Sequence, residues 1–433
     1  MKKKFSAFAA LGLAAVCACS MAACGKTDEG RSHQLGKPVE FKAGESDNLS
    51  AFRSKADAFA SSFAAETYAA GDKTENFTVS PVSVYSALAL AAECAAGETR
   101  AEILSALGVT YEQLRANYPA LYKSLNVTNE YDGEVISTLA LGNSVWLDES
   151  LEYKQLCIDA LSEYYQSYTY SADFAGDNEN ANKAVRSFVK EQTRGLIDKD
   201  FQLSEDTLFA LINTLYLKTV WNTDGVDLLF TDQNYDFQNA DGTTTSTKLM
   251  CGDYCLGRVY EGDDYSTFYT AASGGYKIKF ILPKEGKTLS DVFTAENIAE
   301  VNLIKDYGGY DGEGETEYKT RCLFPEYKCK YDEDIKDILK EKFGINLLFD
   351  RFNCDYSTMT DTPAVCTKVQ HVTDLTVDKT GIEGAAVTVI ANDATSVPPH
   401  ETVYADFVLD RAFGFLITDR NNVTLFSGAV NRL

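Results

Sequence analysis

The sequence predicts a mixed α+β fold around one large buried sheet, and three observations carry that expectation. Residues 208–221, LFALINTLYLKTVW, are an almost unbroken apolar run, as a strand covered on both faces requires. Near the C-terminus, FGFLITD, RNN and VTLFSGAV read as two apolar strands joined by a tight turn. Helical spacing dominates the first part of the chain and strand patterns the later part. Strict β-α-β alternation is absent, which favours α+β over a doubly wound parallel sheet.

Taken in order, Phe52, Ala56, Phe59 and Phe63 fall at helical spacing and predict a helix over 49–69. Ser80-Pro81 is a helix start, with Ser as N-cap and Pro in the first turn. Val82, Tyr85, Leu88 and Ala92 then trace its apolar stripe. Thr99 to Glu102 reads as a capping box opening a short second helix that Gly108 closes. Residues 136–147 and 276–283 are strand-like, whereas 151–165, 178–193 and 333–343 have helical spacing.

The chain has 433 residues, 45% of them hydrophobic and 24% charged, an ordinary globular composition. Length alone suggests two or three domains. No linker rich in Pro, Gly or Ser divides the interior and no repeat appears, so residues 48–433 are read as one large domain. A formal net charge of −24 repels phosphate backbones, which argues against a nucleic-acid partner.

Lys2, Lys3 and Lys4 precede an apolar, alanine-rich run from Phe5 to Cys19, followed by Met21-Ala22-Ala23-Cys24. A basic start, a short apolar stretch and small residues describe a signal peptide over 1–23. The apolar run is shorter than the ~20 residues of a membrane span. A cysteine after two alanines resembles the bacterial lipobox, which implies cleavage before Cys24 and lipid on its thiol. Residues 24–47 are polar and read as a flexible tether. Export would leave Cys94, Cys157, Cys251, Cys255, Cys322, Cys329, Cys354 and Cys366 in the mature domain. Their spacing fixes no connectivity, and no C-x-x-C pair points to zinc or redox chemistry.

The catalytic inventory is thin. Of three histidines, His33 lies in the tether and His400 beside Pro398 and Pro399, leaving His371 in CTKVQHVTDLTVD. A Ser-His-Asp hydrolase would depend on His371, yet no Gly-x-Ser-x-Gly elbow accompanies it. A histidine among strand residues more often makes a structural hydrogen bond than acts as a base. No phosphate loop, dinucleotide fingerprint or His-Glu-x-x-His is present, and no cofactor is expected.

Residues 380–393, TGIEGAAVTVIAND, have a different logic. Read with period two, Ile382, Gly384, Ala386, Thr388 and Ile390 face one way, uncharged and small to medium in size. Gly381, Glu383, Ala385, Val387 and Val389 face the other way, with the only charge of the alternating run on Glu383. The pattern suits a segment that is a loop first and a strand later.

At this point the chain is identified as resembling the serpin family. The resemblance runs from about residue 50 to 433 and rests on five ordered motifs. They are NFTVSPVSVYSALALAAECAAGET, NTLYLKTVW, FPEYKCKYDEDIKDILKEKFGINLLFD, VQHVTDLTVDKTGIEGAAVT and AFGFLITDRNNVTLFSGAV. It implies a large central sheet with two smaller sheets, surrounding helices and an exposed reactive-centre loop, folded into a metastable state. A protease attacks the loop, the loop inserts into the sheet as a new strand, and the protease remains trapped as an acyl-enzyme.

By resemblance, Gly381, Ile382, Glu383, Gly384, Ala385 and Ala386 form the loop hinge. Counting fifteen residues inclusively from Gly381 puts the scissile bond at Thr395-Ser396. Ser80, Ser83, Asn213 and His371 match the hydrogen-bonded group beneath the central sheet, and Trp221 the tryptophan where insertion begins. Ile382 and Gly384 depart from the family's Thr or Ser and Ala, but both suit an inward face. Lys379 and Thr380 stand where an acidic pair is usual, so a family ion pair would run with reversed sign, Lys379 meeting Glu315 or Glu317.

The expected function is inhibition of serine proteases by a monomer anchored to the outer face of a bacterial membrane through lipid. Thr395 lacks the positive charge a trypsin-like pocket wants, so elastase-like targets come first and subtilisin-like ones second. Polysaccharide cofactors are not expected, because YEQLRANYPALYKSLN is nearly balanced in charge. The alternatives are a non-inhibitory serpin acting as a binding protein or protease substrate, and a secreted hydrolase using His371.

Overall fold

The computed structural model describes residues 30–39, 49–221, 227–305, 307–311, 316–382 and 401–433. Numbered in chain order, nine α-helices occur among the described residues. They are α1 Leu49–Ala70, α2 Pro81–Cys94, α3 Gly97–Leu107, α4 Tyr111–Ser124, α5 Gln155–Tyr164, α6 Asn178–Gln192, α7 Leu289–Val292, α8 Ala295–Leu303 and α9 Lys336–Phe343.

The largest sheet has eight strands: β1 His33–Gly36, β3 Val127–Tyr131, β4 Glu134–Asp148, β5 Ser167–Ala172, β6 Phe209–Val220, β16 Tyr327–Asp334, β17 Gln370–Asp378 and β18 Gly381–Ile382. Their order is β1-β5-β4-β6-β18-β17-β16, with β3 pairing β4. Only the β4–β5 pair runs parallel; the other ladders of this sheet are antiparallel. A six-stranded sheet comprises β2 Phe77–Val79, β12 Tyr260–Glu261, β13 Tyr265–Ala272, β14 Tyr276–Pro283, β20 Phe413–Thr418 and β21 Thr424–Val430. The third sheet holds β7 Leu229–Phe230, β10 Met250–Cys251, β11 Cys255–Leu256, β15 Thr316–Phe324 and β19 Glu401–Val408, while β8 Tyr235–Gln238 and β9 Thr244–Thr247 make a separate hairpin.

The core lies between α1, α2 and the two larger sheets. All fourteen residues of α2 are buried, which a helix rich in Ala, Leu and Val tolerates because apolar atoms cover every side of it. Strands β20 and β21 are buried along their whole length. The apolar run at 208–221 is β6, the middle of the large sheet, paired with β4 along eleven register positions.

Three details differ from the sequence reading. Ser80 occupies the N-cap of α2, but its hydroxyl makes no cap hydrogen bond; its N–H is used elsewhere, as described below. Thr99 and Glu102 form no capping box, since α3 begins at Gly97. Thr99 Oγ1 instead accepts from Asp355 N (2.9 Å), and Glu102 Oε2 accepts from the N–H groups of Asn346 and Leu347 (both 2.7 Å). Residues 30–39, inside the stretch read as a tether, are docked. Arg31 N donates to Asn180 O on α6 (3.1 Å), and β1 adds to the edge of the large sheet at β5. A Cβ on Gly36 would lie 2.7 Å from Ile158 Cγ2 on α5, so glycine permits the close approach.

Candidate functional site: the seam between β6 and β17

The chain turns sharply after β17. Lys379 and Thr380 form the bend, and β18 returns with Gly381 opposite Asp378 and Ile382 opposite Val377. On its other edge Gly381 faces Val220 and Ile382 faces Thr219 of β6. Thus β18 is antiparallel to both neighbours and lies between them; among the described residues no ladder joins β6 directly to β17.

Several groups hold the bend. Asp378 Oδ1 accepts from Thr380 N (2.8 Å), Thr380 Oγ1 (2.6 Å) and Gly381 N (3.3 Å). Glu326 Oε1 accepts from Lys379 N (3.1 Å), and Leu228 N donates to Lys379 O (2.8 Å). Gly381 has φ +153°, and a Cβ there would lie 2.1 Å from Thr219 O. Only glycine fits without displacing β6. Ile382 is fully buried, consistent with the inward face expected for it.

The expected partner of Lys379 is corrected. Lys379 Nζ pairs with Asp227 Oδ2 at 2.9 Å, and this carboxylate is the main reason the ammonium is held above its usual range. Glu317 is engaged elsewhere, with Lys319 Nζ (2.9 Å) and Thr402 Oγ1 (3.2 Å). Glu315 lies outside the described residues. The reversed sign therefore comes with a partner from the segment after β6, one that distance along the sequence did not reveal.

Trp221 stands directly beside this bend. It is buried, its Nε1–H donates to Asp378 O (2.8 Å), and its ring meets Phe324 edge-on at 5.5 Å between centroids. Ser273 Oγ donates to Trp221 O (3.3 Å), and Thr219 Oγ1 donates to Ser273 O (2.8 Å). Tryptophan suits this place because one end of its ring is apolar while the N–H finds a partner. Gly381 and Trp221, separated by 160 positions in sequence, share one hydrogen-bonded corner at Asp378.

A second polar group lies at the opposite end of the seam. His371 Nε2 accepts from Ser80 N (3.0 Å), which places the ring proton on Nδ1. Burial pushes the His371 pKa down to about 3, so the ring is neutral at physiological pH. The acceptor nitrogen is occupied by a backbone N–H, which makes His371 a structural acceptor and removes it as a general base. Ser83 Oγ donates to Asn213 Oδ1. Asn213 Nδ2 donates to Asn143 Oδ1, and Asn143 Nδ2 donates to Tyr118 OH (2.9 Å) and Tyr165 O (2.7 Å). This chain ties α2 and α4 to β6 and β4. Ser80, Ser83, Asn213 and His371 are thus brought to one end of the seam, in two hydrogen-bonded groups.

Asn143, Tyr118, Asp227, Glu326 and Asp378 also belong to this arrangement and were not anticipated. Asn143 had a signal, as a lone amide inside the apolar run 136–147. The others had none, because their importance comes from tertiary proximity. Glu383, Gly384, Ala385, Ala386, Thr395, Ser396 and Cys24 lie outside the described residues.

Comparison with known proteins agrees with this geometry. The family model described as Serpin (serine protease inhibitor) matches residues 54–433. Alpha-1-antiproteinase 2 of Equus caballus is 28% identical over 366 residues, covering 82% of this chain and 81% of that protein. Alpha-1-antiproteinase of Rattus norvegicus is 26% identical over 369 residues, covering 82% and 83%. Among solved structures, the thermophilic serpin tengpin in its native state superposes with a TM-score of 0.73 at 23% identity, over 93% of this chain and all of the other. Human thyroxine-binding globulin complexed with thyroxine gives 0.70 at 21% identity, over 89% and 99%. The chain belongs to the serpin family. Its fold is the serpin fold, α+β with one large mixed sheet and two further sheets.

Proposed function

We propose that this protein inhibits serine proteases by suicide trapping. Its loop is cleaved at Thr395-Ser396 and enters the large sheet between β6 and β17 while the protease is still bound as an acyl-enzyme. The observation that carries the reading is β18: two residues already pair with both neighbours in antiparallel register, at a glycine that no other residue could replace. Continuing that register six residues beyond Ile382 brings Thr388 opposite Asn213 on β6 and His371 on β17. The inserting strand would therefore pass the polar group beneath the seam, with Gly384, Ala386, Thr388 and Ile390 on the same face as buried Ile382.

The protease supplies the nucleophile and the general base; this chain supplies bait and a trap, so it is no enzyme. Small residues around Thr395 suit elastase-like pockets. Residues 1–23 act as a signal peptide, and lipid on Cys24 holds a monomeric domain at the outer face of a bacterial membrane. Incubation with an elastase should give an adduct stable to denaturing detergent and a C-terminal fragment beginning at Ser396. Rapid loop cleavage with no adduct contradicts the inhibitory reading. The similarity to thyroxine-binding globulin supports a second reading, a non-inhibitory carrier, which that same outcome would favour.

A further inference from the structure

We propose that the docking of β1 orients the anchored domain, holding one pole of the large sheet near the bilayer and presenting the other, which carries the loop, away from it. The proposal rests on the reading that Cys24 carries lipid. A free tether over residues 24–47 would reach roughly 80 Å when extended. With Gly30 docked, only the six steps from Cys24 to Gly30 remain, ~20 Å at full stretch.

Backbone contacts fix the docked segment. Gly30 has φ +75°, and a Cβ there would lie 2.3 Å from both Asn180 O and Ala184 N, so the chain enters in close contact with α6. Arg31 N donates to Asn180 O (3.1 Å), while Arg31 Nη1 stands 3.8 Å from Asp177 Oδ2, an exposed pair that adds little. β1 then pairs His33 with Ser171, Gln34 with Tyr170 and Gly36 with Thr169, and Val39 N donates to Ser162 O (3.5 Å) past the strand.

Register decides which pole the chain enters. His33 of β1, Ser171 of β5, Leu147 of β4 and Phe209 of β6 stand in one row. Ser137 of β4, Thr219 of β6, Ile382 of β18 and Val377 of β17 stand in another. Phe209 and Thr219 are ten positions apart, ~34 Å along the strand. Because β1 runs antiparallel to β5, the residues before His33 leave the sheet beyond the Phe209 row. The loop belongs to the opposite pole. Ile382 ends in the Thr219 row, and the chain resumes at Glu401 in the third sheet, which adjoins that pole where Phe324 meets Trp221. Lipid on Cys24 thus keeps the Phe209 pole within ~20 Å of the bilayer. A net charge of −24 opposes the domain lying flat on anionic headgroups. The bait then faces proteases in solution rather than ones embedded in the same membrane.

The test takes the chain from bacterial membranes into phosphatidylglycerol-containing vesicles that carry an acceptor dye on a trace lipid headgroup. A donor is attached through Glu205→p-azidophenylalanine, just before β6, or through Asp132→p-azidophenylalanine, in the exposed turn between β3 and β4. Energy transfer should be strong from position 205 and weak from 132, a difference in depth of at least ~30 Å. Arg31→Pro/Gly36→Val removes one docking N–H and crowds Ile158, and should erase that difference while hydrogen exchange in β1 rises to solvent rates. Equal transfer from both positions on a lipidated chain overturns the orientation and leaves the anchor intact. An N-terminal peptide whose mass shows no lipid on Cys24 overturns the anchor reading, and the orientation with it. The comparison of the two positions decides the matter even if the Arg31→Pro/Gly36→Val variant fails to fold.

Discussion

At position 381 a methyl group would collide with the Thr219 carbonyl, and the backbone angle itself disfavours any L side chain. Gly381→Ala should therefore detach β18 from β6. Strain of this kind costs ~1–3 kcal/mol, and the expected outcome is a shift of protease encounters from adduct toward simple cleavage, read on a denaturing gel. His371 makes a second residue-scale prediction. Its folded pKa of about 3 lies below the ordinary histidine value of 6.5, so the unfolded chain binds the proton first as pH falls. Stability from this residue is complete above 6.5 and drains away as pH drops toward 3. Asp57 has the opposite sign: burial, only partly offset by the Thr424 N–H, lifts it from 3.8 to about 7, with Asp419, Lys279 and Arg53 as charged neighbours. Its contribution is present at low pH and lost as pH rises from 3.8 toward 7. His371→Gln should thus lose less stability on acidification than wild type, and Asp57→Asn more. Urea midpoints at about pH 7 and about pH 4.5 measure both. His371 was legible in the sequence because strand residues surround it. The Asp57 environment was not, since it depends on which strand end α1 meets.

Among elements, α2 is the hub. Its N-cap Ser80 meets β17, Ser83 in its first turn meets β6, and near its far end Glu93 is fully buried against Arg115 of α4, whose guanidinium it holds above its usual range. Tyr111 OH also donates to Glu93 Oε1 (2.9 Å). Arg115→Ala would leave a buried carboxylate without its cation, and removing one partner of a buried pair costs ~3–5 kcal/mol. Chemical denaturation checks this; an unchanged midpoint would show that Glu93 finds water or another donor. At the bend after β17, Lys379→Glu sets a carboxylate against Asp227 and Glu326 and should lower the thermal midpoint, while the swap Lys379→Glu/Asp227→Lys should restore it. Elements with strong local patterns, α1, α2, β6, β14, β20 and β21, were readable because periodicity and continuous apolarity fix them locally. The docked strand β1 was not, because HQLG is polar and pairs only where β5 offers an open edge. Likewise the first two residues of the run 333–343 end β16, so the helix there starts only at Lys336.

For the molecule as a whole, the proposed trap requires a sheet held one strand short of its most stable form. The fold was legible because five motifs occur in the family's order over most of the chain, and each marks a place where sheet, helix and hinge must meet. What the sequence could not show was the register at the seam, which needs β6, β17 and β18 side by side. If the uncut state is kinetically held, cleavage within the loop should raise the thermal midpoint well above that of the intact protein, as the released segment adds a ladder to both neighbours. A carrier with a permanently expelled loop would show no such rise. The register tests the central claim most directly. A crystal structure of the loop-cleaved protein should show the segment from Gly381 onward as a full strand between β6 and β17, with Thr388 flanked by Asn213 and His371. A cleaved protein in which β6 and β17 pair with each other beneath Ile382, with the loop outside the sheet, would contradict it.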